Sequence, residues 1–147
     1  MPENTGIGPG FQKATKYHPD AMRQKPDWPE PAQPFKEYQN PLSYVELPDP
    51  QTEEGMPLWE AIEQRRSHRR FADGALSLQH LAQLIWATQG VTGRLGNHPV
   101  RASASAGALY PNETYLFVNN VEAVEAGIYH YEILNWRLSM LAEGEFG

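Results

Sequence analysis

Ten of the 13 prolines fall within the first 50 residues, and this asymmetry limits what the chain can build more than any other feature does. Each proline fixes its own φ, removes a backbone donor and disfavours helical geometry in the residue before it. Regular helix or sheet is therefore not expected over residues 1–56, which leaves residues 57–147 to make the fold. The composition is nevertheless unlike that of a solvated tail. Tyr17, Trp28, Phe35, Tyr38, Tyr44, Val45 and Leu47 recur between the prolines, whereas disordered segments are poor in aromatic residues. The segment reads as an extended arm packed along a folded body. At 147 residues the whole is the size of one ordinary domain.

From Met56 the pattern becomes helical. Pro57 suits a first turn, Glu60 and Glu63 follow near the N-terminal end, and Leu58, Trp59 and Ile62 recur at helical spacing, which predicts an amphipathic helix over about 57–66. Asp73-Gly74 is a turn signal. Ser77 is an N-cap for a second helix over 78–89, whose apolar face is Leu78, Leu81, Ala82, Leu84, Ile85 and Thr88, with Gly90 as its stop. Trp86 falls off that stripe and is placed to touch a neighbouring element. Between Gly90 and Pro111 small residues dominate without periodicity, which predicts a long loop.

Glu113–Val118, ETYLFV, has the β-branched and aromatic content of a strand. After a short polar connection at 121–126, GIYHYEI and WRLSMLA form the arms of an antiparallel hairpin around Leu134-Asn135. The strands are too close in sequence for parallel crossovers, so the expected class is α+β, a largely antiparallel sheet flanked by helices. WRLSMLA is expected to leave an open sheet edge that invites a partner.

Charge is unevenly placed. The formal net charge is -6, yet RRSHRRF, residues 65–71, holds four arginines. Arg65 and Arg66 fall at a helix C-terminus, where cations interact favourably with the dipole; Arg69 and Arg70 lie beyond it. Two readings fit: a solvated basic face, or a site for a phosphate monoester. Guanidinium groups and a serine hydroxyl supply donors for several phosphate oxygens, at about 1.5–3 kcal/mol per charge-assisted bond. The acidic total argues against a nucleic-acid binder. A second candidate is RASASAGALYPNETYLFV, residues 101–118. Its small side chains leave the backbone open to close approach by a flat ligand, although a small-residue linker would look the same.

Other chemistries find little support. The chain has no cysteine, which removes disulfides, thiolate metal sites and cysteine nucleophiles and suits a reducing, cytoplasmic setting. His18, His68, His80, His98 and His130 are scattered without metal-ligand spacing, so no metal site is expected. No run approaches 18 apolar residues, so neither a membrane span nor a membrane partner is expected.

RRSHRRF after an amphipathic helix, then LSLQHLAQLIWATQGVTG, SASAGALYPNETYLFV and GIYHYEI, resembles in that order the SagB-type dehydrogenases of the nitroreductase-like, FMN-dependent superfamily. ATKYHPD and YVELPDP resemble segments that precede the core in those proteins. The resemblance implies a nitroreductase-like α+β fold, incomplete in this chain, with residues 1–56 as the arm and 57–147 as the N-terminal half of an FMN-binding domain. It implies an oxidoreductase that passes hydride through FMN to or from a small-molecule or peptide substrate, in this branch including oxidation of an azoline ring to an azole. Arg65, Ser67 and Arg69, with Arg66 adjacent, match the positions that hold the FMN phosphate. Ser103, Ala104, Ser105 and Gly107 match the loop against the flavin, usually contributed by the partner subunit. A homodimer, or association with a chain carrying the C-terminal half, is implied, with a non-catalytic FMN-binding or scaffold subunit as the alternative. Ala108 stands where simple nitroreductases commonly have asparagine, so no asparagine role carries over. The family's later helices, a basic residue completing the phosphate site, and the catalytic lysine and tyrosine of azoline oxidases match nothing in residues 1–147.

Overall fold

The computed structural model describes residues 7–16 and 35–146, which belong to two units, Met1–Ala32 and Gln33–Gly147. In the first unit α1 spans Ile7–Thr15, a helix where the proline content predicted none. Pro9 is tolerated because it sits in the first turn, where the backbone N–H has no intrahelical acceptor. The Thr15 hydroxyl donates to the Phe11 carbonyl at 2.8 Å. Tyr17 and Trp28, expected to pack along the body, lie outside the described residues.

The second unit contains, in chain order, β1 (Tyr44–Glu46), α2 (Leu58–Gln64), α3 (Leu78–Gln89), β2 (Val91–Leu95), β3 (His98–Arg101), β4 (Tyr115–Val118), β5 (Gly127–Glu132) and β6 (Arg137–Glu143). Four strands form one sheet in the order β1-β6-β5-β4, every pairing antiparallel. The fold is therefore α+β. The open edge expected at β6 is not there, because β1 pairs along it, Val45 opposite Leu138. Backbone bonds extend that pairing on both sides, Leu42 N–H to the Met140 carbonyl at 2.8 Å and Leu47 N–H to the Trp136 carbonyl at 3.2 Å. The prolines at 41, 48 and 50 bracket this strand rather than interrupt it, which is why a proline-rich segment can hold an edge position.

Alternation divides the sheet into two faces. Val45, Leu116, Val118, Tyr129, Tyr131, Leu138 and Met140 belong to the core with Leu81, Ala82 and Ile85 of α3. The other face carries polar rows: Tyr44, Ser139, His130 and Tyr115 stand in one register row across all four strands, and Glu132 pairs with Arg137 in the next, while Phe117 and Ile128 pair outside the core.

Helix α3 has the predicted bounds. Ser77 caps it, its hydroxyl accepting from His80 N–H at 3.2 Å. Leu84 points outward at 59% exposure, and Gln89 is buried in the face instead. Gly90 ends the helix at φ -60, ψ 145, so a left-handed cap is not what selects glycine; a Cβ there would collide with the ring and carbonyl of Trp86.

Two further expectations change. Residues 91–101 form the β2–β3 hairpin instead of loop, closed by Gly96 at φ 60. Helix α2 is shorter than expected and buries none of its residues: its apolar positions Leu58, Trp59 and Ile62 are 67%, 80% and 57% exposed.

Candidate functional site

The arginine segment begins where α2 stops. Arg65 donates its backbone N–H to the Ala61 carbonyl at 3.0 Å and then turns to ψ 120, which takes the chain out of the helix. Arg66 folds back, Nη1 donating to the carbonyls of Glu63 and Arg65 at 2.7 and 2.9 Å. It thus satisfies carbonyls that the helix end leaves without partners. Ser67, His68, Arg69 and Arg70 follow without regular structure, all exposed. The two ion pairs found among the described residues, His130–Glu113 and Arg137–Glu132, involve none of these arginines. Arg65, Ser67 and Arg69 are exposed, and among the described residues none of their side chains makes a hydrogen bond or an ion pair.

The second predicted segment is a tight, exposed turn. Ser105 is extended, and a single 3-10 turn over Ala106–Ala108 follows. Ala108 N–H donates to the Ser105 carbonyl at 3.2 Å and Leu109 N–H to the Ala106 carbonyl at 3.4 Å. Gly107, Ala108 and Tyr110 all have positive φ, at 63, 53 and 43. A Cβ on Gly107 would meet nothing nearer than the Leu109 side chain at 3.8 Å, so conformation rather than space selects glycine there. Ala104, Ala106 and Gly107 are exposed, while Ser103 and Ser105 are half-buried. Among the described residues no hydrogen bond or ion pair links this loop to residues 65–70.

The base of the loop holds residues that the sequence reading did not single out. Arg101, 6% exposed, donates its backbone N–H to the Tyr110 hydroxyl at 3.0 Å. Its guanidinium lies 4.7 Å from the Tyr110 ring centroid and 5.3 Å from that of Phe35, and reaches Gln89 Oε1 at 3.3 Å. Tyr110 N–H donates to Ser105 Oγ at 2.8 Å. Burial lowers the Arg101 pKa from its ordinary value, opposed by the charge of Glu113. Burial also drives the Tyr131 phenol well above the usual tyrosine range.

A further cluster covers the polar face of the sheet. His130, wholly buried, shares a 2.9 Å hydrogen bond through Nε2 with Glu113 Oε2, and the rings of Tyr38 and Tyr115 pack on it at 5.2 Å each. Lys36 Nζ donates to the Tyr115 hydroxyl at 2.8 Å, and the hydroxyls of Tyr115 and Tyr38 are 2.9 Å apart. The bonds to Tyr115 and Tyr38 push the Lys36 pKa up, and those from Tyr115 and Lys36 pull the Tyr38 phenol down. Only the pairing register, Tyr115 opposite His130, brings these residues together; no local motif announces it. Among the described residues no group of three or more His, Asp or Glu could hold a metal ion, and no helix is long and apolar enough to cross a membrane.

Residues 62–146 match the nitroreductase family model, more than half of the chain, and the protein belongs to that family. A provisionally named nitroreductase of Methanocaldococcus jannaschii is 38% identical over 87 residues, covering 59% of this chain and 41% of the relative. The crystal structure of a provisionally named nitroreductase from Anabaena variabilis superposes with a TM-score of 0.58 at 25% identity, over 92% of this chain and 26% of that one. A second, from Ralstonia eutropha, gives 0.52 at 29% identity, over 75% and 51%. The fold is nitroreductase-like, and the chain spans less than half the length of the archaeal relative.

Proposed function

We propose that this chain carries the phosphate-binding and ring-facing segments of an FMN-dependent oxidoreductase of the SagB-like branch, working as a homodimer or together with a chain that supplies the rest of the domain. The observation that carries the reading is the cluster of exposed guanidinium groups after α2, none of them in an ion pair among the described residues, in a family member whose net charge is -6. Arg65, Ser67 and Arg69 bind the phosphate dianion, with two guanidinium groups and a hydroxyl supplying charge-assisted bonds. Arg66 stays beside them as the residue that closes the helix. Ser103, Ala104, Ser105 and Gly107 lie against the ring system with bare backbone, delivered from the partner subunit. Bound flavin supplies hydride transfer; the chain's own residues supply binding and orientation. On the SagB-like reading the substrate class includes peptide azolines oxidised to azoles.

The uncovered face of α2 supports the partner. A seven-residue helix does not persist alone in water, and Leu58, Trp59 and Ile62 offer it an apolar contact. The same face suits a second reading, a non-catalytic FMN-binding scaffold subunit. The absence of cysteine suits a cytoplasmic setting. Titration of the purified protein with FMN, followed by flavin fluorescence quenching and by molar mass, tests the proposal. Saturable uptake by a dimer supports it, and a protein that takes up no FMN alone or with the rest of the domain supplied would refute it. Turnover with a chemical reductant separates enzyme from scaffold.

A further inference from the structure

We infer that Arg101 is a positioning residue that fixes the small-residue loop, through a clasp with Tyr110 at the loop's base. The inference rests on the reading that residues 103–107 meet the flavin. Arg101 and Tyr110 bracket that loop; two contacts join them to each other, Arg101 N–H to the Tyr110 hydroxyl at 3.0 Å and the guanidinium over the Tyr110 ring at 4.7 Å, and one joins them to the loop, Tyr110 N–H to Ser105 Oγ at 2.8 Å. The next residue, Ala102, donates its N–H to the Gly90 carbonyl at 2.9 Å. The base is thereby tied to the end of α3, and the Arg101 Nη1 bond to Gln89 ties it there a second time. The Phe35 ring centroid also lies 5.3 Å from the guanidinium.

Packing alone does not explain an arginine here. Arg101 is 6% exposed, no ion pair among the described residues includes it, and its Nε has no partner among them. A buried cation so placed is unfavourable relative to an apolar side chain of similar volume. What the arginine provides that an apolar residue cannot is a simultaneous connection of α3, the loop base and the segment at Phe35 through a flat cation with aromatic rings 4.7 and 5.3 Å away. At the loop's end Gly107 and Ala108, and at its base Tyr110, have positive φ, two of the three non-glycine, a conformation that persists only where its surroundings enforce it.

The test compares the unaltered protein with Tyr110→Phe, Arg101→Met and Arg101→Lys. Tyr110→Phe keeps the ring under the guanidinium and removes only the acceptor. Amide hydrogen exchange over residues 103–110 and FMN dissociation constants are measured for each. The expected result is exchange faster by about tenfold in the loop for Tyr110→Phe and Arg101→Met, with α3 and β5 as protected as before, and FMN binding weaker by about tenfold. Arg101→Lys, which keeps a cation over the rings, recovers part of both. Unchanged loop exchange in Tyr110→Phe overturns the clasp, whether or not Arg101→Met folds. An Arg101→Lys protein as loose as Arg101→Met overturns the role of the cation. Because loop exchange is read without flavin, a protein that binds no FMN refutes the flavin reading while leaving the clasp to be decided on its own. Loosened loops with unaltered FMN affinity refute the link between them.

Discussion

Arg137 Nε donates to Glu132 Oε2 at 2.7 Å, joining two residues that stand opposite each other at the first rung of the β5–β6 hairpin. Glu132 is 2% exposed, and the same carboxylate accepts from Asn135 Nδ2 at 2.9 Å and from the Ser139 hydroxyl. Burial opposes its ionisation, but the bonds from Ser139, Asn135 and Arg137 outweigh burial and hold its pKa below the ordinary 4.5.

The hairpin should therefore be acid-sensitive. A carboxylate whose folded pKa is depressed contributes stability that is fully present above its unfolded value near 4.5 and is lost as pH falls through the folded value. Urea unfolding measured at pH values from 6 downward should show that loss setting in below about 4.5. Glu132→Gln should lower stability at pH 6 by about 2–4 kcal/mol and flatten the acid slope, because the amide cannot accept all three bonds. An acid slope identical in the two proteins would assign it to other carboxylates.

If the arginines after α2 bind a phosphate, the double substitution Arg65→Ala with Arg69→Ala removes two charge-assisted contacts. At about 1.5 kcal/mol each, FMN affinity falls by about 10² or more. Thermal stability should change little, since both side chains are exposed. Equal FMN affinity before and after would leave these residues a solvated basic face.

Leu47 gives β1 its hold on the core. It is 6% exposed, and β1 covers the β6 edge that would otherwise present unpaired backbone groups. Leu47→Ala should cost about 2–4 kcal/mol. It should also raise the fraction of self-associated protein as the edge frays, measurable by light scattering at fixed concentration. Destabilisation without association would show that β1 stays paired when its anchor is cut.

Much of the fold was legible because it is local. The Ser77 cap, the apolar spacing of 78–89 and the β-rich runs at 115–118, 127–132 and 137–143 specify their own elements. What escaped depends on partners distant in sequence. Tyr44–Glu46 is three residues between prolines and is a strand because β6 offers an edge. The β2–β3 hairpin hides behind Gly93, Pro99 and a register shift between Val91 and Gly93, although Gly96-Asn97 was a turn signal of the right length. At the site, the exposed arginines and small residues stand out by type. Arg101, Tyr110 and the Lys36–Tyr38–Tyr115–His130 cluster do not, because their meaning lies in which rings and carbonyls the fold brings to them.

Two glycines separate space from backbone conformation as the reason for their identity. At Gly127 a Cβ would stand 2.5 Å from the Ala142 carbonyl oxygen and 2.8 Å from Met140 Cε. The first is backbone of the neighbouring strand and cannot swing away, so Gly127→Ala should destabilise the whole domain by about 1–3 kcal/mol. At Gly107 there is room, the nearest atom lying 3.8 Å away, but φ is +63, which an alanine adopts only at about 1–2 kcal/mol. Gly107→Ala should barely move the global unfolding midpoint, because the loop is exposed, while it shifts the loop away from this conformation and weakens FMN binding by about tenfold. Denaturation and FMN titration of both proteins should thus give opposite rankings. If Gly107→Ala instead lowers global stability as much as Gly127→Ala and leaves FMN affinity intact, the loop's shape serves the fold rather than the ligand.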